Sequence, residues 1–147
     1  MTWNSLLAGA PPANIDAALL ILRLAIGGCF VVHALGKLGL VGTGDMAGFV
    51  AWLRSEGVPF APVQARLAMA SELLGGTGLA LGLLTRPSCA VLIVTMVVAA
   101  RVGHRGAGYL ITNDPPGAEY AINLAVICIV IAWIGPGALS LDALLFS

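Results

Sequence analysis

Nine polar side chains stand within or at the edges of the apolar stretches of this 147-residue chain: Arg23, His33, Lys37, Arg66, Glu72, Arg101, His104, Glu119 and Asn123. Each is costly to remove from water, so each needs a partner, a cavity or a route to an aqueous face. Their types point to a small set of chemistries. An arginine and a glutamate at one depth can pair. Several cations at one level can hold an anionic or carbonyl-bearing head group, such as that of a quinone or a lipid. Haem held between His33 and His104 is weakly supported, because two isolated histidines are poor grounds for a haem site. Nothing in the chain resembles a nucleophile–base pair, and no His, Cys, Asp or Glu spacing fits a metal ion. Neither catalytic nor metal-ligating residues are therefore expected, and the chain does not read as an independent catalyst.

The elements that must position these residues follow from composition. Hydrophobic residues make up 59% of the chain and charged ones 10%, against roughly 25% charged in a soluble domain. The mean hydropathy is +1.00. So few charges cannot cover a water-exposed globule, which excludes a soluble enzyme and a disordered tail. Seven cations balance seven anions, leaving no basic patch for nucleic acid and no acidic tail. The expectation is an all-α integral membrane protein, one domain over residues 1–147. It is a four-transmembrane-helix up-down-up-down bundle with spans at about 15–40, 61–84, 87–103 and 118–134.

Between the first two spans, Met46, Phe49, Val50 and Leu53 recur at helical spacing with Trp52 beside them, which predicts a short helix lying in the interface. Met46 and Trp52 read there as interface anchors rather than cofactor contacts. Met1–Asn14 has no Lys or Arg, so the first span does not look like a cleaved signal. Cys29, Cys89 and Cys128 form no CxxC and read as buried thiols acting as small hydrophobes. Gly75, Gly76, Gly78 and Gly82 suit close helix contact, inside the bundle or, alternatively, in a homo-oligomer through glycine-rich faces.

Counting ~1.5 Å per residue from the span ends places Arg23 about 12 Å and Glu72 about 14 Å from one face. The two match in depth and sign, which predicts an Arg23–Glu72 pair. His33, Lys37, Arg66, Arg101, His104, Glu119 and Asn123 collect toward the other face. There Lys37, Arg66 and Arg101 outnumber Glu119. Two readings stand side by side: a salt-bridge network that holds the helices in register, and a cationic ligand pocket. By the positive-inside rule, Lys37, Arg54, Arg66, Arg101 and Arg105 against Arg86 place the long loops in the cytoplasm and both termini in the periplasm.

The stretches LRLAIGGCFVVHALGKL (22–38), SELLGGTGLALGLLTRP (71–87) and GAEYAINLAVICIVIAWIGPGALSLDALL (117–145) resemble the DoxX family of small bacterial membrane proteins. The resemblance implies a four-helix protein of the bacterial inner (cytoplasmic) membrane. It also implies a link to quinone-dependent or oxidative-stress redox complexes with soluble oxidoreductase partners. Arg23, Lys37, Glu72 and Arg86 sit on the family's polar positions, and His104 is matched to one as well. The family has no agreed catalytic residues to carry over. Three functions follow: a membrane subunit or anchor of a redox system, a structural or assembly protein, and a small transporter or lipid-binding protein.

Overall fold

Long apolar stretches satisfy their backbone hydrogen bonds internally by coiling into helices, and helices are the regular elements found. The computed structural model describes residues 12–146. Along it run α1 (Pro12–Lys37), α2 (Met46–Ser55), α3 (Ala61–Leu81), α4 (Thr85–Gly103), α5 (Glu119–Ile134) and α6 (Leu141–Phe146). The expectation about a leader falls mostly on residues 1–11, outside the described residues.

Punctuation in the sequence sets the ends. α1 stops at Lys37 rather than Leu40, because Gly39 takes a left-handed φ of 74°. The Leu40 N–H then donates back to Leu35 O at 3.0 Å, the hydrogen bond of a Schellman cap. α2 begins where the Asp45 carboxylate accepts from the Gly48 N–H at 2.6 Å. α4 opens at Thr85, two residues before Pro87, since a first helical turn tolerates proline. The short α6 was not foreseen.

α1 packs most closely on α3, α4 on α5, and α3 on α4, while α2 rests on α3. α1 and α3 are antiparallel and touch backbone to backbone. A β-carbon on Gly27 would lie 2.5 Å from Gly76 O. The main core gathers Phe30, Leu79, Cys89, Leu92, Cys128 and Ile131. A smaller cluster of Leu53, Ala61 and Ala65 fastens α2 to the start of α3.

Residues 14–37 and 85–103 are long and apolar enough to cross a membrane. Only 22% and 17% of their apolar windows are buried within the protein, whereas a core helix of a soluble protein is mostly buried. Leu24, Leu74, Val94, Val98 and Trp133 point outward instead. α5 is apolar but has 16 residues, short of the usual span.

Candidate functional site

The polar residues separate into two groups, about 21 Å apart along α1 at 1.5 Å per residue. At one end Arg23 is wholly buried. Its Nη2 donates to Leu139 O, and Nη1 lies so near Gly82 that any side chain there would collide with it. Asp142 acts on Arg23 electrostatically. Its carboxylate also accepts the Leu84 N–H at 2.7 Å and the Thr85 N–H at 2.8 Å, capping α4 from the far end of the chain. The Asp142 N–H in turn donates to Gly82 O at 2.8 Å. Partial burial would raise the Asp142 pKa, yet hydrogen bonds from Thr85 and Leu84, with the Arg23 charge, hold it below the ordinary carboxylate value. Asp16 accepts the Ala138 N–H at 2.8 Å, and Arg86 Nε donates to Ala132 O at 3.1 Å. This end is a lock between the C-terminal turn and two helix ends, within which Arg23 Nε and Nη1 and the Thr85 hydroxyl are buried without a hydrogen-bond partner among the described residues.

The expected Arg23–Glu72 pair is not formed. Gly27 faces Gly76, so in an antiparallel register Glu72 stands opposite Val31, about 12 Å along α1 from Arg23. The depth count failed because it set Ala61 level with the end of α1. The first turns of α3 instead reach past that end to meet α2.

Glu72 pairs with Lys37, whose Nζ lies 2.5 Å from Glu72 Oε2. Glu72 is buried and Lys37 half-buried. The ammonium also sits 5.1 Å from the centre of the Phe49 ring, within the reach of a cation–π contact. Phe49 and Trp52 stack with centroids 5.8 Å apart and form a roof over the pair. Beside it a groove of about 840 Å³ runs between α3 and α4, mostly apolar, with Lys37, Gln64, Ser71, Glu72, Thr95 and His104 as polar points. The Ser71 and Thr95 hydroxyls bond each other at 2.7 Å.

His33 shares a hydrogen bond of 2.9 Å with the Tyr120 hydroxyl, which also meets Cys29 Sγ at 2.6 Å. His104 is half-buried and bonds Pro116 O through Nδ1 at 2.7 Å. Glu119 accepts the Ile111 N–H at 3.0 Å, and Asn123 accepts the Tyr109 hydroxyl at 3.1 Å. Both are used to hold the 104–118 connection. Arg66 and Arg101 are exposed and border none of the grooves found, so the expected excess of cations does not gather at one place. Lys37, Glu72 and His104 are brought to the groove; the other predicted residues are not. His33 borders a second, shallower groove beneath residues 41–45. The roof residues Phe49 and Trp52, and Tyr120 and Asp142, were not foreseen in these roles. The helical spacing of Phe49 and Trp52 was a usable signal, while Asp142 and Tyr120 reach partners distant in sequence. Among the described residues no cluster of His, Cys, Asp or Glu fits a metal ion.

The sequence model of the DoxX family matches residues 18–105. The Escherichia coli (strain K12) inner membrane protein YphA is 29% identical over 130 residues, covering 84% of this chain and 87% of that protein. No solved structure matches the chain.

Proposed function

Because the chain belongs to the DoxX family, we propose that it is a multi-pass inner-membrane protein. In this reading α1, α3, α4 and α5 are four up-down spans, and the protein serves as the membrane subunit or anchor of a redox system. The inner-membrane relative from Escherichia coli supports the location. One observation carries the site: an ion pair between the buried Glu72 and the half-buried Lys37 opens on an apolar groove of about 840 Å³ roofed by two stacked aromatic rings. A salt bridge that merely joined two helices would need no such space beside it. A groove of this size and lining suits a lipid-soluble molecule with a polar head, a quinone being the redox-competent choice. Long-loop residues Arg54 and Arg105 near the groove end favour a cytoplasmic position for that end, where soluble oxidoreductases could dock.

A structural role is favoured by a separate observation at the opposite end. Arg23, Gly82, Leu139 and Asp142 interlock there, tying the C-terminal turn to the ends of α3 and α4. The two ends thus divide the work, one holding the fold and the other holding a ligand. Purification from native membranes in a mild detergent, followed by mass spectrometry of retained proteins and small molecules, tests the redox reading. A quinone or a soluble oxidoreductase retained in stoichiometric amount is the expected result. A preparation retaining neither would overturn the redox reading and leave the assembly role and the small-transporter or lipid-binding role.

A further inference from the structure

Two grooves meet at Lys37. The groove between α3 and α4 is walled by Leu67, Val94 and Val98, all exposed on the apolar outer surface. The second, of about 750 Å³, passes under the 41–45 turn beside His33, Thr43 and Asp45. Lys37, Phe49 and Trp52 border both. Their charges decide what they can hold. The charged side chains lining them are Lys37 in both, Glu72 in the first and Asp45 in the second, and the lysine is already paired with Glu72. The exposed arginines Arg66 and Arg101 border neither groove. A phosphate or carboxylate head would enter a place whose formal charge is already negative, and desolvation would oppose it further.

Resting on the pocket reading above, we infer that the occupant is an uncharged amphiphile. Its apolar tail lies between α3 and α4, and its hydroxyl- or carbonyl-bearing head lies beside Lys37 beneath Phe49 and Trp52. The tail groove opens sideways, past side chains that would face lipid, so the molecule enters from the bilayer rather than from water. In the head position the Lys37 ammonium can donate to a carbonyl oxygen without leaving Glu72, since it has three N–H donors.

Trp52 reports on the site directly. With Trp3→Phe and Trp133→Phe, it is the sole tryptophan, and the protein can be studied in phosphatidylcholine vesicles. Three probes with the same ten-carbon chain are titrated: decyl-benzoquinone, monodecanoylglycerol and decyl phosphate. The two uncharged probes are expected to change Trp52 emission saturably, with decyl phosphate at least ten-fold weaker. Filling the tail groove with Ala68→Phe or, at its outer lip, Val94→Phe should weaken the uncharged probes about ten-fold. Decyl phosphate binding as well as the uncharged probes would overturn the inference and leave the pocket reading intact. Uncharged probes unaffected by both fillings would overturn the tail placement. No saturation by any probe would remove the pocket reading itself.

Discussion

Glu72 retains about one-twentieth of its exposure and is held by an ammonium 2.5 Å away. Breaking such a pair leaves an uncompensated charge, so Glu72→Gln should destabilise the protein by about 3 kcal/mol. The double change Lys37→Met with Glu72→Leu should recover most of that loss, measured by unfolding in mixed detergent. Arg23→Leu combined with Glu72→Gln should instead be additive, because the two sites lie too far apart to couple. Arg23 is held differently, by one bond to Leu139 O and the field of Asp142, while its Nε and Nη1 are buried without a hydrogen-bond partner among the described residues. Asp142→Ala removes a capping group from α4 and should cost about 1 kcal/mol. Its carboxyl pKa lies below the ordinary value. The stabilisation is therefore fully present above pH about 4 and is lost as pH falls through the lower folded value. The unfolding midpoint of Asp142→Asn should show less of this acid loss than the parent.

At the scale of elements, the register of α1 against α3 is set by two glycines. A β-carbon on Gly76 would come within 2.8 Å of Gly27 O, so Gly76→Val must push the helices apart, at about 1–3 kcal/mol. Circular dichroism on thermal ramping checks this, and an exposed change such as Thr77→Val serves as the neutral control. This close approach also explains what the sequence could and could not reveal. The helices other than α6 were legible from apolar runs and from Pro and Gly punctuation, with ends within about three residues. Lys37 and Glu72 were each recognised as buried polar residues. Their pairing was not, because register depends on which glycines meet, and Gly27 carries no sign of its partner. The short helix α2 was legible from its spacing, but the task of Phe49 and Trp52 as a roof depends on where Lys37 ends up. Arg66 and Arg101 were placed at pocket depth by counting along their helices; rotation about the helix axis, which counting ignores, turns them outward.

Across the whole molecule, the three family-like stretches meet in space. Arg23 from the first, Gly82 and Thr85 from the second, and Leu139 and Asp142 from the third build the lock at one end. Lys37 and Glu72 from the first two build the pair at the other. In the proposed topology the lock faces the periplasm and the grooves the cytoplasmic half. Alkaline phosphatase fused after Ser147 should then be active in cells, and a reporter that needs the cytoplasm should be silent at the same point; the reverse pattern would invert the assignment. The most direct measurement of the central claim is native mass spectrometry of the protein released from its own membranes, compared with the Lys37→Met, Glu72→Leu double variant. The account predicts an uncharged, lipid-soluble molecule bound one per chain in the parent and lost from the variant while the variant stays folded. Equal retention by both, or only bulk phospholipid on either, would contradict it.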